Sequence, residues 1–347
     1  MNTNINKIQV LIQSNHRARL EDISDAVVSL DLNSSLTYSP DKCVIRYLRS
    51  DTTWGLGSII TILIDGIKFF KGYIFEHNYS DKSTEEIICY DQLRYWKGTD
   101  VFQYKGLRLH EIFADLCKRL NMKYRTVNTT RYVLPENIWD NATYLKVWQD
   151  CNERNSVDTG GSTHFIRDNF GTIELHEANW LFNNTEEHIV FTDHPKYGQN
   201  RNVISYNYTR SIDKKTYNYV KVVNENTKDK RKSTYVAKND DKIMAWGRLQ
   251  HLERTSEELT DAQVRKRAND LLNVYGTWTN SLDIQAIGNL NTVTLRAGDG
   301  IIVEIQDLWR FNYQTGKTIY GKPFLIKSIN HSILHGKYII DIEVDLY

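Results

Sequence analysis

The sequence predicts an α+β protein that is mainly β, with two small β-barrel or β-sandwich domains flanking a compact α+β domain. Three observations predict this class: short apolar runs with tight turns in the first hundred residues, a helical apolar periodicity after them, and strand-like runs again from Asn202. We therefore expect domains at residues 1–97, 98–200 and 201–347. The last should carry an inserted long helix at about residues 260–276.

Alternation and turn chemistry predict the first domain. Apolar and polar residues alternate over Lys7–Gln13, as in a half-buried strand. Asp65-Gly66 separates two apolar runs, and this dipeptide is a strong hairpin signal because both central residues of the turn take a positive φ. The predicted strands are Lys7–Gln13, Val27–Leu32, Val44–Leu48, Ile59–Ile64, Ile67–Phe75 and Glu86–Tyr90. Such a set is typical of a small barrel or sandwich.

Helical periodicity marks the middle domain. A buried stripe is formed by Leu109, Ile112, Phe113, Leu116, Cys117 and Leu120. A second helix is expected from about Thr143 to Arg154. Beyond Gly160-Gly161, two strands at His164–Arg167 and Thr172–Leu175 complete a compact α+β unit.

The last domain returns to strands around one long helix. Thr260 and Gln263 form the pattern of a capping box at its start, and Gly276 is expected to end it in the left-handed conformation. The predicted strands are Val203–Thr209, Tyr217–Val223, Ser281–Ala286, Thr292–Leu295, Ile301–Ile305, Phe324–Asn330 and Lys337–Leu346.

The first and last domains share an internal echo. Gly57–Ile62 resembles Gly300–Ile305, the spacing from Phe70 to His77 recurs from Phe324 to His331, and an apolar strand follows each. The echo predicts two copies of one small β domain in the chain. Three chains would then present six similar domains in a ring, which could face a six-fold partner.

Composition excludes several function classes. The chain has 347 residues, 40% hydrophobic and 25% charged, with a formal net charge of +1. These values fit a folded soluble protein and disfavour a basic nucleic-acid groove. The start, Met1–Lys7, has no apolar signal region, and the apolar stretch Ile59–Ile64 is too short to span a bilayer. We expect no membrane span and no specific nucleic-acid binding.

No metal site is predicted. Cys43, Cys89, Cys117 and Cys151 form no C-x-x-C pair and are expected to be buried, reduced thiols. His331 and His335 are four apart but lie in strand-like surroundings, where that spacing separates the rings. His188, Asp193 and His194 are irregularly spaced and lack a fourth ligand.

No catalytic or cofactor-binding residue is predicted either. Phosphate-loop, dinucleotide and nucleophile-elbow motifs are missing from the sequence, and Gly298-Asp299-Gly300 indicates a tight turn that feeds a strand. A glycosidase pair would need two distinguished carboxylates. Nothing separates the candidates from ordinary solvated or ion-paired charges; these are Glu85, Glu86, Asp150, Glu153 and Glu174. The basic segment Lys228–Lys232 indicates a solvated hairpin tip, with a phosphate-binding patch as the alternative.

Five segments, in order, resemble the hub proteins of PBSX-type prophage tails, the XkdQ/YqbQ family. They are Tyr90–Trp96 with Phe102 and the helix that runs to Met122, Phe165–Leu175, Trp246–Gln250, Arg296–Val303, and Ile326–Leu346 with His331. Each pattern is common by itself, and their order and spacing carry the resemblance. The basic segment Lys228–Lys232 has no counterpart in the family pattern.

The resemblance implies a function in assembly. The family is similar to the late control protein D group, whose members form trimeric hubs in which two tail-tube-like β domains make a pseudo-six-fold ring. It implies a structural baseplate hub of a contractile injection tail, with no enzymatic activity, cofactor or small-molecule substrate. Implied partners are two further copies of the chain, the tail tube protein, the central spike protein and other baseplate proteins. The expected location is a virion or tail-like particle (such as a tail-like bacteriocin), assembled in the bacterial host cytoplasm.

Other functions stay open at this point. A tail-associated cell-wall hydrolase would use carboxylates of the kind named above. A glycan- or receptor-binding β protein would use some of the 21 tyrosines and 8 tryptophans.

Overall fold

The computed structural model describes residues 5–14, 20–36, 39–49, 54–79, 83–161, 163–178, 189–194, 201–213, 215–225, 232–255, 259–308, 323–334 and 336–345. In the first half of the chain the strands are β1 (Ile8–Gln13), β2 (Leu20–Asp22), β3 (Val27–Ser35), β4 (Lys42–Leu48), β5 (Ile59–Ile64), β6 (Ile67–Asn78), β7 (Thr84–Tyr90), β8 (Thr99–Tyr104), β9 (Tyr124–Thr126), β10 (Asn137–Thr143), β11 (His164–Asp168) and β12 (Ile173–Glu177). In the second half they are β13 (Ile189–Thr192), β14 (Val203–Ser211), β15 (Tyr219–Glu225), β16 (Lys232–Lys238), β17 (Gln250–Thr255), β18 (Thr279–Ile287), β19 (Gly300–Glu304), β20 (Pro323–Leu334) and β21 (Lys337–Asp345). The α-helices are α1 (Leu109–Arg119), α2 (Tyr144–Asp158), α3 (Asp240–Trp246) and α4 (Asp261–Tyr275).

One large sheet joins the two ends of the chain. Its strands follow the order β14-β18-β21-β20-β3-β4-β7-β6-β5-β1-β2, and β19 pairs with both β20 and β13. Three smaller sheets contain β8–β10, β9–β12–β11 and β16–β15–β17. The predicted mainly β, α+β class is confirmed, and the described strands form open sheets with no closed barrel. The three domain boundaries stay a prediction.

The predicted helices form, with one correction. Thr143 caps α2 through its hydroxyl, which accepts the Lys146 N–H at 3.0 Å. Thr260 and Gln263 make the predicted capping box of α4. The left-handed end at Gly276 is wrong, because its φ is −80°. Glycine is needed there for a different reason, since a Cβ would lie 2.1 Å from the Leu272 carbonyl oxygen.

The hydrophobic residues divide into three main cores. The largest lies along the large sheet and mixes residues from both ends of the chain, such as Ile45, Ile60 and Ile340. A second packs α1 and α2 around Trp96, Phe113 and Trp148. The third places α4 on β15 and β16. None of the described helices has the length and apolar character needed to cross a bilayer.

Candidate assembly surface

Two β units with one ladder order lie side by side in the large sheet. The first unit is the strand set β3-β4-β7-β6-β5, and the second unit is β14-β18-β21-β20-β19, each in spatial order. Every neighbouring pair within both sets is antiparallel. The chain therefore carries two copies of one β unit, as the internal echo predicts.

The two units also share two bulges. The β3–β4 ladder has a bulge between Val27 and Ser29, and the β14–β18 ladder has one between Val203 and Ser205. A second bulge follows Ile74 in the first unit and Ile326 in the second. A bulge inserts one extra residue at a defined position of a strand. Because both bulges occur at the same places in the two ladders, they give a residue-to-residue correspondence between the two units.

This correspondence corrects the register of the sequence echo. The Gly57 N–H donates to the Ile74 oxygen at 2.7 Å, and the Gly298 N–H donates to the Ile326 oxygen at 2.8 Å. Gly57 thus matches Gly298 instead of Gly300. His77, three positions after Ile74, matches Ile329 instead of His331. The sequence comparison is shifted by two residues in each strand.

The units meet where β3 pairs with the second half of β20. The ladder runs antiparallel from Ser328 opposite Ser35 to Leu334 opposite Ser29. The side chains that face the core across this junction are buried; they are Leu30, Leu32, Ile329, His331 and Ile333. Backbone pairing and apolar burial together fix the two units to each other.

His331 is part of this core. Its Nδ1 lies 2.6 Å from the Tyr338 hydroxyl, and its Nε2 lies 2.9 Å from the Leu295 carbonyl oxygen. Burial, and next the nearby Arg296 charge, lower the pKa of His331 well below its ordinary value. The ring is therefore a neutral, hydrogen-bonded core residue. His335 lies outside the described residues.

Next to the junction lies a set of charged side chains that sequence patterns did not reveal. This junction cluster consists of Asp41, Asp91, Arg167, Asp168, Arg296 and Asp299. Arg167 Nη1 contacts Asp299 Oδ1 at 2.6 Å, and Asp168 accepts the Gln92 side-chain amide at 3.1 Å. The β11–β12 hairpin of the middle block is thereby tied to the end of the first unit and to the second unit.

Burial dominates the electrostatics of the junction cluster. It raises the pKa of Asp41 to about 6 and raises the pKa of Asp91 well above its ordinary value. Arg296 donates to the carbonyl oxygens of Leu295, Val293 and Phe69. Backbone oxygens therefore hold the guanidinium in place. Its positive charge opposes the rise in the pKa of Asp41.

The predicted turn before β19 forms at the edge of this cluster. The Asp299 N–H donates to the Arg296 oxygen at 3.1 Å, and β19 begins at Gly300. Gly298 has a φ of +96°, and a Cβ at this position would lie 2.3 Å from the Phe165 ring. The glycine is required by both the backbone conformation and the space.

The candidate carboxylates occupy separate places and already have partners. Glu85 accepts the Tyr47 hydroxyl at 2.8 Å and Arg49 Nε at 3.1 Å, and the Tyr47 hydrogen bond contributes most to lowering its pKa. Glu86 pairs with Arg46 at 2.9 Å. Glu174 contacts Arg125 and His176; despite the cost of burial, the His176 and Asn169 hydrogen bonds lower its pKa to about 2.

Asp150 and Glu153 line a groove of about 720 Å³ between α2 and the β17–α4 region. Asp150 accepts Trp139 Nε1 at 3.0 Å, and Glu153 accepts the Tyr275 hydroxyl at 3.3 Å. Arg267 crosses the floor, where it contacts Asp158 and Glu253 at 2.9 Å each. The groove walls are therefore cross-linked by hydrogen bonds and ion pairs.

The cysteines and the histidines considered as metal ligands also have ordinary structural positions. All four cysteines are buried and free, as expected, and burial raises the pKa of the Cys89 and Cys151 thiols. Asp193 accepts the Gln306 N–H at 2.8 Å, while the His194 N–H donates to Thr192. His188 lies outside the described residues. Among the residues that are described, no group of three or more His, Cys, Asp or Glu side chains is placed to hold a metal ion.

Only Lys232 of the basic segment Lys228–Lys232 lies within the described residues. β15 and β16 pair as an antiparallel hairpin up to Glu225 opposite Lys232, and these two side chains form an ion pair at 2.8 Å. Residues 228–231 lie outside the described part of the chain, so the solvated tip stays a prediction.

Comparisons with known proteins agree on one fold. The structure resembles a 43 kDa tail protein of prophage MuSo2 from Shewanella oneidensis, with a TM-score of 0.66, 14% identity and 98% of each chain covered. It resembles a tail protein from Neisseria meningitidis MC58, with a TM-score of 0.67, 12% identity and 98% and 97% coverage. It also resembles the Escherichia coli c3393 protein, with a TM-score of 0.57, 12% identity and 93% and 74% coverage.

The Escherichia coli protein is described as a type VI secretion component similar in structure to T4 bacteriophage tail proteins gp27 and gp5. At these identities the resemblance concerns the fold. No curated protein sequence matches the chain. The YQBQ-like family model, in contrast, matches residues 30–345, which span both β units, apart from the first three residues of β3, and the middle block between them. The chain therefore belongs to the YQBQ-like family.

Proposed function

We propose that this protein is the structural hub of a contractile injection tail, forming a ring that joins the tail tube to the central spike and the surrounding baseplate. The observation that carries the proposal is the pair of β units with one ladder order and matching bulges, fixed side by side by the β3–β20 junction. Three such chains place six equivalent units around one axis, which suits contact with a six-fold tube on one side and a three-fold partner on the other.

Two further observations support the proposal. The solved structures that share the fold over nearly the whole chain include two tail proteins and a type VI secretion component. The candidate carboxylates and histidines described above are held in structural hydrogen bonds and ion pairs. We propose a non-enzymatic role as a homotrimer within the baseplate of a virion or tail-like particle, assembled in the host cytoplasm.

Quantitative mass spectrometry of purified tail particles tests the proposal. The hub predicts about three copies of the chain per particle, counted against the tube and sheath proteins, because one ring of three chains closes on the tube. Many copies per particle would indicate a tube or sheath role. Absence of the chain from the particles would exclude a role as a tail component.

The alternatives have their own tests. A hydrolase predicts clearing in a cell-wall zymogram, and the hub predicts none. A glycan-binding protein predicts saturable binding to purified cell-surface glycan. The groove with Trp139, Tyr217 and Tyr275 is the place to probe, since sugar rings stack on aromatic faces.

A further inference from the structure

The groove beside α2 is bordered by the free edge of a β-sheet. β17 is the outer strand of the sheet β16–β15–β17, and among the described residues it pairs only with β15, in parallel. Residues 251–255 of β17 line the groove, whose volume is about 720 Å³. A strand edge carries a row of unpaired backbone N–H and C=O groups, which is a template for an added strand.

The pairing of β17 with β15 determines which of its backbone groups point to the outer edge. The Tyr219 N–H donates to the Leu249 oxygen at 3.1 Å, and Tyr219 lies opposite Gln250 in the ladder. Backbone direction alternates along a strand, so the odd-numbered residues of β17 bond to β15. Gln250, Leu252 and Arg254 therefore direct their backbone groups outward. Within the described part of the chain, the backbone of Leu252 has no hydrogen-bond partner.

The opposite edge of the same sheet is less suited to an added strand. There β16 carries Lys232 and Lys238 at exposed positions, and lysines on an edge strand oppose further pairing. No residue of β16 lines the groove. β17 instead has an apolar residue near its centre, because Leu252 is 44% exposed. The groove edge is therefore the edge that favours pairing.

A strand added to β17 would point alternate side chains into the groove. The apolar and aromatic side chains that line it there are Leu134, Trp139, Tyr217, Leu271 and Tyr275. The charges of the floor neutralise one another, because Arg267 contacts both Asp158 and Glu253. Arg154 contacts Asp158 as well. Side chains that enter the groove should therefore be apolar.

The remaining side chains of an added strand would continue the exposed face of the sheet, and that face is basic. Lys221, Arg248 and Arg254 lie on it. Glu225 is the one carboxylate among the described strand residues of this face, and it contacts Lys232 at 2.8 Å and Arg254 at 3.4 Å. Positive charge is in excess, so acidic side chains complement this face.

We propose that this groove is a docking site for an extended segment of a partner polypeptide, which adds as a fourth strand to the outer edge of β17. The segment alternates apolar residues, which enter the groove, with acidic residues, which face Arg254 and its basic neighbours. Backbone hydrogen bonds supply affinity in such strand addition, and the alternate side chains supply specificity. That the segment belongs to another baseplate protein rests on the proposed hub function.

Fluorescence anisotropy with the purified full chain tests the site. The probe is a labelled peptide of about eight residues that alternates glutamate and valine, and a control peptide alternates lysine and valine. Leu252→Pro removes an outward N–H without breaking a bond to β15, and proline is tolerated on edge strands. Thr234→Pro is the matched control, because the Asn239 N–H bonds to the Asn218 oxygen and the backbone of Thr234 therefore faces the outer edge of β16.

Two further changes keep the test independent of a folding defect. Arg254→Gln removes a charge beside the docking edge, and Lys238→Gln removes one at the far edge of the sheet. Two methylated probes leave the protein unaltered; one carries methyl groups on the glutamate backbone nitrogens, the other on the valine backbone nitrogens. One of the two should lose binding, because an added strand pairs through alternate residues.

We expect saturable binding of the acidic peptide, weakened about tenfold by Leu252→Pro and about threefold by Arg254→Gln. Thr234→Pro and Lys238→Gln should leave it unchanged, and the lysine peptide should bind about tenfold more weakly. Binding that survives both methylations would overturn strand addition, and equal binding of the two peptides would overturn the acidic character of the segment.

Failure of the docking site can be distinguished from failure of the hub function. No saturable binding of the acidic peptide would overturn the docking site, and a count of about three chains per particle would still support the hub. Binding of purified cell-surface glycan in place of the peptide would assign the groove to a saccharide. Absence of the chain from the particles would overturn the hub function and leave the peptide result standing.

Discussion

Gly298 stands where the backbone passes beside the Phe165 ring. Gly298→Ala should lower the free energy of unfolding by roughly 3 kcal/mol, since the new methyl group meets the ring at 2.3 Å and the residue keeps a positive φ. Chemical denaturation measures the loss. Gly106→Ala is the matched control, because its φ is +67° with no heavy atom within 4 Å of the Cβ, and it should cost only about 1 kcal/mol. Equal losses would contradict a steric role for Gly298.

Asp41 makes stability depend on pH. Burial raises its pKa in the folded protein from 3.8 to about 6, so the folded state holds this proton more tightly than the unfolded state. The stability that it contributes is present at pH 4 and is lost as the pH rises through 6. Asp41→Asn should therefore gain about 2–3 kcal/mol relative to the natural chain between pH 4 and pH 7.

Denaturation curves at several pH values test this sign. Asp65→Asn is a useful control, because Asp65 lies at an exposed turn and binds the backbone N–H groups of Asn6 and Lys7. A difference between Asp41→Asn and the natural chain that stays constant from pH 4 to pH 7 would contradict the raised pKa.

At the scale of elements, α4 depends on its first turn. Thr260→Ala removes the hydroxyl that caps the Gln263 N–H and should lower the free energy of unfolding by about 1 kcal/mol. Thr260→Ser keeps the hydroxyl and should change it much less. Loss of helix content in circular dichroism at a lower denaturant concentration measures the effect. Equal behaviour of the two variants would indicate that the cap contributes nothing.

Elements that are marked by a short sequence pattern could be predicted from the sequence. The Asp65-Gly66 hairpin forms with φ values of 49° and 80°, and the α4 capping box appears as the sequence indicates. The echo between the β units was visible, but its register was not. A slip of two residues keeps the same side chains on the core face of a strand, so the alternation of apolar residues does not distinguish the true register from the shifted one.

Long-range features could not be predicted in the same way. The junction cluster brings Asp41, Arg167 and Asp299 together from three distant parts of the chain. Each is an ordinary charged residue in its own segment, and only the folded arrangement buries it. The β3–β20 pairing has the same character, because neither strand carries a mark that selects the other among many apolar runs.

At the scale of the whole molecule, assembly should change hydrogen exchange in two places. Amides of β14 that point away from β18, and amides of residues 76–79 that point away from β7, should exchange quickly in the isolated chain and slow at least tenfold in purified particles, because the proposed ring covers those edges. Amides of the β3–β20 ladder should be protected in both samples and serve as the internal control. Unchanged exchange in β14 would contradict the proposed ring.

The pairing of β3 with β20 also has a consequence for biosynthesis. β3 leaves the ribosome early, but the strand that covers its edge is made roughly 300 residues later, after about 15–60 s at ordinary translation rates. During that interval the nascent first unit presents a bare strand edge to other nascent chains on the same message. Slower translation or less chaperone protection would lengthen that exposure, even though the finished protein covers the edge from Ser29 to Ser35.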